Sequence, residues 1–443
     1  MKSWQDIENV VVVGLGITGA SVVRYLNKYQ TKTHVKVTDT RSFPPGKSLV
    51  PEGTEIHSGS WNSDWLLSAD LVIITPGVPL TAPEIQTVVS QGIPVVGDIE
   101  IFSWHVSKPV VAVTGSNGKS TVADMAGCLL RSTGLKVEVG GNIGFPALDL
   151  FELDCDLYVL ELSSFQLETT SSLSVKAAAF LNLSEDHMDR YDSISSYRQA
   201  KLRIFSHADV AIVNSDDAST YPETFLGKVV SFSTNNDYSD YCLRRLDGCE
   251  WLVADGRKVL ATRKLRLMGR HNLANVLTVL ALVRSIGMAL DKSILDTLMF
   301  YRGLPHRCQL VESSKEVLWI NDSKATNVAS TIAALSSPMC RSPGTLFLLV
   351  GGIAKDADLS PLSTALRKDN LKLCCFGSDG YRFLEFHQSA VLFPTMEAAI
   401  QAIHSELLAG DIVMLSPACS SKDQFKSFLD RGNTFTKLAH QYA

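Results

Sequence analysis

Residues 110–121 read VVAVTGSNGKST, a β-branched run that leads straight into a glycine turn and then into a helix-compatible segment. Such a strand–turn–helix places consecutive backbone N–H groups and a helix N-terminus where they face phosphate oxygens. In that arrangement Lys119 would meet the β and γ oxygens of ATP, and the Ser120 hydroxyl would hold Mg²⁺. Val113 departs from the full G-x-x-x-x-G-K-S motif, because it stands in place of the first glycine. The alternative, a mere turn with a solvated lysine, leaves the strand–turn–helix context unexplained. The predicted phosphate loop comprises Gly115, Ser116, Asn117, Gly118, Lys119, Ser120 and Thr121.

A second glycine motif, GLGITG, follows the apolar run at residues 10–13. Its glycines, Gly14, Gly16 and Gly19, match G-x-G-x-x-G, and Asp39 ends the next β-rich run. Taken alone, this predicts a dinucleotide-binding domain, but any nucleotide diphosphate can use such glycines, so UDP would serve as well as NAD. The glycines could also serve only tight strand-to-helix packing. A dehydrogenase needs one such loop, whereas an ATP-driven reaction on a nucleotide-linked substrate accounts for both.

The length of 443 residues and the alternation of strand-like and helix-like runs predict three α/β domains in series. We expect a Rossmann-like N-terminal domain at residues 1–97, a central P-loop ATPase-like domain at 98–302 and a C-terminal Rossmann-like α/β domain at 303–443. Buried-strand candidates in the last third lie at residues 345–350, 371–376 and 411–415. The polar stretch at residues 233–240 is predicted to be a surface loop.

Composition narrows the classes of function. Hydrophobic residues make up 45% of the chain and the formal net charge is −5, which is typical of a globular protein without affinity for nucleic acid. The start, MKSWQDIE, contains acidic residues and no long apolar run, and no run approaches the length of a membrane span, so we expect a cytoplasmic protein without membrane insertion. We also expect a monomer. Nine scattered cysteines without a C-x-x-C pair indicate reduced thiols rather than a zinc site.

The segment NLSEDHMDRY at residues 182–191, together with the shortened loop TGSNGKST, resembles the Mur ligases and their folylpolyglutamate synthetase relatives. The segments LPHR (304–307), NDSKATN (321–327) and LSPACSSKDQF (415–425) are similar to the D-glutamate-adding branch of that family. The resemblance implies an ATP- and Mg²⁺-dependent amide ligase of peptidoglycan precursor synthesis. Its substrates would be UDP-N-acetylmuramoyl-L-alanine and D-glutamate, joined through an acyl phosphate.

The resemblance also implies roles for individual residues. Lys119, His187 and Lys201 would be catalytic, and Lys201 would be carbamylated. One Mg²⁺ would be held by Ser120 and Glu161 and a second by His187, and the modified Lys201 would also be a metal ligand. Beyond the phosphate loop, ATP would be bound by Asn142, Asn272, Asn275, Arg307 and Asp322. The UDP-linked substrate would be held by Ile17, Thr18, Asp39, Thr40, Arg41, Thr75, Pro76, Gly77, Ser163 and Gln166. D-glutamate would be held by Lys324, Thr326, Lys355, Ser421 and Phe428.

Several of these residues could instead have a purely structural role or lie in solvent. His187 could be a satisfied core histidine, Glu161 a solvated charge, and Lys201 part of a solvated basic helix face. Two positions depart from the family pattern: Ile353 stands where relatives usually carry Asp, and Lys422 replaces an apolar residue. Two other functions remain open from the residues, an NAD-dependent oxidoreductase and a nucleotide-binding regulator without ligase activity.

Overall fold

The computed structural model describes residues 4–267, 269–311, 316–336 and 344–442. Within these ranges three sheets follow one another along the chain, of five, nine and six strands. The prediction of three α/β units in series is confirmed. No helix within these ranges is long and apolar enough to cross a membrane.

The first sheet is parallel throughout, with strand order β3-β2-β1-β4-β5. Its strands are β1 (Asn9–Val13), β2 (His34–Asp39), β3 (Glu55–Ser58), β4 (Leu71–Ile74) and β5 (Val95–Val96), and its helices are α1 (Ile17–Tyr29), α2 (Ser63–Leu67) and α3 (Pro83–Ser90). The run of four valines in β1 is buried because helices cover both faces of a parallel sheet. The strand order reverses between β1 and β4, and ligands of open α/β sheets bind outside such a switch point.

The second sheet has the order β14-β13-β12-β11-β10-β9-β6-β8-β7. Its strands are β6 (Val110–Thr114), β7 (Val137–Gly141), β8 (Leu157–Glu161), β9 (Ala177–Phe180), β10 (Val210–Asn214), β11 (Lys228–Ser233), β12 (Tyr241–Leu246), β13 (Cys249–Ala254) and β14 (Arg257–Ala261). The helices of this part are α4 (Asp98–His105), α5 (Lys119–Arg131), α6 (Ser164–Glu168), α7 (Ile194–Leu202), α8 (Arg270–Ser285) and α9 (Lys292–Phe300). Among the described strands of this sheet, only β12, β13 and β14 pair antiparallel. The strand before the phosphate loop, β6, lies between β8 and β9, so side chains that follow these three strands meet at one edge.

The third sheet has the order β15-β16-β20-β17-β18-β19, and of the strands described there only β15 and β16 pair antiparallel. Its strands are β15 (Gln309–Val311), β16 (Leu318–Asn321), β17 (Leu346–Gly351), β18 (Leu371–Phe376), β19 (Val391–Phe393) and β20 (Ile412–Ala418), and its helices are α10 (Val328–Leu335), α11 (Leu362–Ala365), α12 (Met396–Ile403) and α13 (Phe428–Tyr442). The predicted strands at 345–350, 371–376 and 411–415 coincide with β17, β18 and β20 to within a few residues.

Helix α1 fixes the first sheet against the central part of the chain. Arg24 forms an ion pair of 2.7 Å with Asp149, whose other oxygen accepts a hydrogen bond from Ser21 at 2.8 Å. The Tyr25 hydroxyl lies 2.9 Å from Nδ1 of His105 in α4. These contacts hold the two glycine loops in a defined relation.

One sequence prediction is wrong in part. Residues 234–240 do form a loop, but Ser233 is fully buried as the last residue of β11, and Thr234 is buried beside it. The Ser233 hydroxyl and the Thr234 N–H both donate to the carboxylate of Asp216, at 2.5 and 2.7 Å, which anchors the loop inward. The eight cysteines that the structure describes are not joined in disulfides, and Cys340 lies outside the described residues.

Candidate active site

A cleft of about 1040 Å³ lies where the central and C-terminal sheets face each other, and Gly77 of the first domain reaches its rim. Its walls include most residues of the phosphate loop, the residues that follow β8 and β9, the first turns of α8, and the loops after β16 and β20. The carboxyl ends of parallel strands therefore converge on one cavity, as expected for a nucleotide site in α/β proteins.

The phosphate loop is built as the sequence predicts. Gly115 and Gly118 have φ values of +152° and +87°, and a Cβ on Gly118 would lie 2.5 Å from Oδ1 of Asn275. The loop is anchored on Asn182, which accepts hydrogen bonds of 2.9 Å from the N–H groups of Ser116 and Asn117. Helix α5 begins at Lys119 and extends over 13 residues. Its N-terminus points into the cleft and offers N–H groups to an anion.

The Lys119 ammonium stays beside the loop that carries it. Nζ donates to the carbonyls of Gly115 and Ser116 at 2.8 and 2.9 Å. Burial lowers the pKa of Lys119, whereas the nearby carboxylates of Glu161 and Asp186 raise it. The side chain is thus half-buried, with anionic neighbours, and is not a solvated lysine.

Glu161 ends β8 and is 2% exposed. Its Oε1 accepts a hydrogen bond of 2.6 Å from Nδ2 of Asn142, but its buried Oε2 finds no hydrogen-bond partner among the described residues. A buried carboxylate oxygen without a partner is costly unless a ligand satisfies it. This oxygen and the Ser120 hydroxyl, both on the cleft wall, are hard oxygen donors that fit Mg²⁺.

No cluster of three or more His, Cys, Asp or Glu side chains in the described ranges is arranged as a metal cage. Mg²⁺ commonly takes only one or two protein ligands and completes its shell with phosphate oxygens and water. The sparse donor set therefore suits Mg²⁺ bound together with ATP.

His187 lies in a turn after β9 with a φ of +61°. Burial lowers its pKa to about 4, although Asp186, 3.7 Å away, opposes the shift. The imidazole is therefore neutral at pH 7, which is the state that can bind a metal. Its side chain is 34% exposed and lines the cleft, so it is not a core histidine.

Lys201 is 1% exposed, so it does not belong to a solvated helix face. Its Nζ donates to the Gly115 carbonyl at 2.9 Å and lies 4.5 Å from the centre of the Tyr197 ring. Burial, followed by the charge of Lys119, lowers the pKa of Lys201 well below its ordinary value. A larger fraction of this amine is thus neutral, and only a neutral amine adds CO₂ to form a carbamate.

The C-terminal part of the chain contacts the phosphate loop directly. Asn327 Nδ2 and Ser330 Oγ donate to Oδ1 of Asn117, at 3.1 and 2.6 Å. Lys355 Nζ donates to Oδ1 of Asp186 at 3.2 Å. These contacts enclose the cleft between the second and third sheets.

The predicted C-terminal site residues gather on that wall. Burial raises the pKa of Asp322 to about 6, although its oxygens accept from Ser416 Oγ at 2.8 Å and from the Cys308 N–H at 3.1 Å. Lys324 Nζ lies 4.1 Å from the Phe428 ring centre, and burial lowers its pKa to about 8. The cleft also receives Arg307, Thr326, Lys355, Ser421 and Phe428.

Arg431 holds two loops of this wall in place. It is fully buried, and its guanidinium donates to the hydroxyl and carbonyl of Ser323 and to the carbonyl of Cys419, at 2.8–3.1 Å. The two departures from the family pattern lie nearby. Ile353 is paired to Ser420 through backbone hydrogen bonds, and Lys422 is exposed at the cleft.

Several polar residues of the central part of the chain line the far end of the cleft. Asn272 and Asn275, in the first turns of α8, are joined by a hydrogen bond of 3.3 Å. Thr234 and Arg270 line the same region, and the Arg270 guanidinium donates to the Thr234 carbonyl. The sequence analysis did not single out Thr234, because polar residues after β11 look like an ordinary loop, nor Arg270, the first residue of α8.

Asp39 shapes the first glycine loop. It is 2% exposed, and its carboxylate accepts from the Leu15 N–H at 2.6 Å and from the Arg41 guanidinium at 2.6 and 2.9 Å. Burial opposes ionisation, but the Arg41 and backbone donors outweigh it and keep the pKa of Asp39 low.

Of the residues predicted to hold the UDP-linked substrate, Gly77 and Ser163 lie on the cleft. The remaining ones lie off it, at the switch point of the first sheet or, for Gln166, behind Ser163. Gln166 is buried, accepts from the Ser163 N–H at 3.1 Å and donates to Asp98 at 3.1 Å. Its position is that of a support for Ser163.

Comparison with known proteins covers the whole chain. Residues 8–97 match the family model for the N-terminal domain of MurD-like Mur ligases, residues 113–283 the Mur ligase middle domain, and residues 306–419 the Mur ligase glutamate ligase domain. The UDP-N-acetylmuramoylalanine–D-glutamate ligases of Vibrio atlanticus and Vibrio parahaemolyticus are each 58% identical over 444 residues, which cover 100% of this chain and of each relative. The UDP-N-acetylmuramate-alanine ligase of Thermotoga maritima shares the fold, with a TM-score of 0.62 at 20% identity over 97% of this chain and 98% of that one. The chain belongs to the Mur ligase family.

Proposed function

We propose that the protein joins D-glutamate to the alanine carboxylate of UDP-N-acetylmuramoyl-L-alanine at the expense of ATP, in peptidoglycan precursor synthesis. The substrates named for the 58% identical relatives support this choice. The observation that supports this proposal most directly is that residues of the central and C-terminal domains line the same cleft. One wall has the phosphate loop and the Glu161 oxygen that finds no hydrogen-bond partner among the described residues, and the other has Lys324 and Lys355.

In the proposed reaction the alanine carboxylate attacks the γ-phosphorus of ATP, so that an acyl phosphate forms and ADP leaves. The amine of D-glutamate then attacks the acyl carbon, an amide bond forms and inorganic phosphate leaves with the carboxylate oxygen. Phosphoryl transfer of this kind depends on positioning and charge neutralisation rather than on a protein nucleophile.

The chain's residues have distinct roles in this scheme. Lys119 and the α5 N-terminus bind the β and γ phosphates, and Asn272 with Asn275 holds the base. Bound Mg²⁺ supplies positive charge against the phosphate oxygens, and Ser120, Glu161, His187 and carbamylated Lys201 would hold it. Arg307 and Asp322 reach the nucleotide from the third domain.

We infer the D-glutamate pocket from the two negative charges of that substrate. Two carboxylates need cations and hydroxyls at two separate points, which Lys324, Lys355, Thr326 and Ser421 supply near Phe428. A pocket tuned to two carboxylates leaves its cations unpaired when one is missing, so D-alanine should be a very poor substrate. L-glutamate should fail because inversion at Cα misplaces one carboxylate.

The domain limits 1–97, 98–302 and 303–443 remain our proposal, with UDP, ATP and the amino acid bound mainly by the first, second and third. We also infer a cytoplasmic location, because ATP and nucleotide-linked precursors are cytoplasmic metabolites. That the protein is a monomer stays a prediction.

A phosphate-release assay tests the proposal, with each UDP-muramoyl intermediate combined with a panel of amino acids and ATP. Release should require both acceptor substrates and should be fastest with UDP-N-acetylmuramoyl-L-alanine and D-glutamate. Faster release with lysine or diaminopimelate would leave the ligase family in place and contradict the proposed substrate. ATP turnover independent of the acceptors would support a regulator instead.

A further inference from the structure

Arg190 connects two parts of the structure that would bind different substrates. Its guanidinium donates to the carbonyls of Pro76 at 3.3 Å and Val78 at 2.9 Å, across the boundary between the first and second sheets. The side chain is 16% exposed and lines the cleft. The sequence analysis quoted this residue within NLSEDHMDRY but gave it no role.

The turn that Arg190 holds is packed tightly on the first glycine loop. Thr75 donates to the Val13 carbonyl through both its N–H, at 3.0 Å, and its hydroxyl, at 3.2 Å, and the Val78 N–H closes the turn on Thr75 at 2.9 Å. A Cβ on Gly14 would lie 2.3 Å from Thr75 Oγ1. The turn and the glycine loop therefore form one unit at the switch point of the first sheet.

The peptide group between Pro76 and Gly77 determines where the Gly77 N–H points. In a planar trans peptide the C=O and the following N–H point in opposite directions. Because the Pro76 carbonyl accepts from Arg190, the Gly77 N–H points away from the guanidinium. Gly77 is exposed on the cleft, and within the described part of the chain its N–H donates to no acceptor. It is a backbone donor oriented for an anionic oxygen.

The other end of Arg190 is tied to the proposed metal site. The Arg190 N–H donates to the carbonyl of His187 at 2.9 Å, so both residues belong to one turn. The guanidinium lies 4.4 Å from the centre of the Phe165 ring, which itself contacts the His187 imidazole at 4.9 Å between ring centres. The carboxylate of Glu168 lies 4.0 Å away. These neighbours restrict the side chain to one direction.

We propose that Arg190 is a positioning residue that fixes the turn at residues 75–78 for the diphosphate of the UDP-linked substrate and couples it to the His187 turn. The inference rests on the proposed function for the identity of that substrate. The anchoring itself is independent of it, since the contacts exist within the chain. Arginine suits this task because its planar guanidinium reaches two carbonyls at once, which a lysine ammonium does not.

The test compares Arg190→Ala and Arg190→Lys with the control Arg198→Ala. Arg198 is matched because it also donates to two backbone carbonyls, those of Ser219 and Tyr221, and its side chain is 20% exposed, but both carbonyls lie in its own domain. Calorimetric titration without ATP gives the Kd for UDP-N-acetylmuramoyl-L-alanine. We expect Arg190→Ala to weaken binding by about tenfold or more, since two charge-assisted hydrogen bonds are lost. Arg190→Lys should fall between Arg190→Ala and wild type, and Arg198→Ala should bind as wild type does.

Hydrogen exchange in the ligand-free protein separates positioning from direct contact. The protected amides of Thr75 and Val78 should exchange faster in Arg190→Ala, whereas a residue that only touched the substrate would leave them unchanged. The KM for ATP should stay within about twofold of wild type, because the phosphate loop is untouched and alanine keeps the backbone N–H that donates to the His187 carbonyl.

An unchanged Kd, unchanged exchange at residues 75–78, or an equal rise of the KM for ATP would each overturn the proposal. If Arg190→Lys binds the UDP-linked substrate as tightly as wild type does, simultaneous contact with two carbonyls is not what Arg190 contributes, and that part of the proposal is wrong. If wild type itself does not bind the UDP-linked substrate, the proposed function fails, and the exchange experiment still decides whether Arg190 anchors the turn.

Discussion

Replacing Glu161 with glutamine removes a negative charge at the end of β8 and keeps the shape of the side chain. The amide oxygen can keep the 2.6 Å hydrogen bond from Asn142 that Oε1 accepts. The other position, Oε2, has no hydrogen bond to lose among the described residues. The ligand-free protein should therefore lose little stability, whereas a metal bound there would lose its anionic ligand.

Glu100 offers a matched control, because it is also 2% exposed but both of its oxygens are engaged. Oε2 accepts from the N–H groups of Ser171 and Ser172 at 2.6 and 3.0 Å, and Oε1 accepts from the Ser172 hydroxyl at 2.7 Å. Glutamine there gives up the charged acceptor, and hydrogen bonds to charged groups are worth about 1.5–3 kcal/mol each. Glu100→Gln should lower the free energy of unfolding by about 2 kcal/mol or more, with a normal Mg²⁺ dependence.

For activity we expect the opposite order, with a larger loss in Glu161→Gln than in Glu100→Gln. Removal of one oxyanion-hole donor, a group that likewise stabilises charge in the transition state, costs a factor of about 10²–10³ in kcat. Glu161→Gln should lose at least that lower value and need more Mg²⁺ for half-maximal phosphate release. The assays are phosphate release over a Mg²⁺ titration and urea unfolding without ligands. A Glu161→Gln enzyme with wild-type Mg²⁺ dependence, or one as destabilised as Glu100→Gln, would refute the reasoning.

Three further predictions concern the same cleft. Lys119→Ala should abolish phosphate release while the circular dichroism spectrum and melting temperature stay close to wild type, because a cation at the β and γ phosphates is lost; near-normal turnover would exclude the phosphate-loop assignment. Lys201→Ala should lose most activity, and acetate or formate should restore part of it by supplying the missing carboxylate, whereas a fully active variant would exclude a metal-ligand role. His187 has a pKa of about 4 in the folded protein, compared with 6.5 for an ordinary histidine. Below pH 6.5 the unfolded chain therefore binds the proton more readily, and the free energy of unfolding falls as the pH drops towards 4. His187→Asn should make that fall shallower in urea-unfolding experiments at several pH values, and an unchanged slope would contradict the shift.

Features with a local cause could be predicted from the sequence. The order of strand, glycines and lysine around Lys119 requires only neighbouring residues, and the structure places it at the N-terminus of α5. The resemblance to the Mur ligases pointed to Glu161 and the His187 turn, and the structure places them after β8 and β9, whose carboxyl ends meet at one edge of the sheet. The parallel order of the first sheet also follows from a local βαβ pattern.

Features that depend on distant partners could not be predicted. Burial of Lys201 arises from contact with Gly115, which lies far away in sequence, and the flanking basic residues suggested solvent instead. The Thr234 loop turns inward because Asp216 binds it. Arg190 and Asp186 gave no signal of their own, because their partners, Val78 and Lys355, belong to other domains.

The fate of the carboxylate oxygen tests the central claim most directly. UDP-N-acetylmuramoyl-L-alanine is labelled with a heavy oxygen isotope in its alanine carboxylate and incubated with ATP, Mg²⁺, D-glutamate and the enzyme. Ligation through an acyl phosphate predicts that each turnover moves one labelled oxygen into inorganic phosphate and leaves one in the new amide carbonyl, both readable by mass spectrometry. Unlabelled phosphate released together with the product would contradict the acyl-phosphate route.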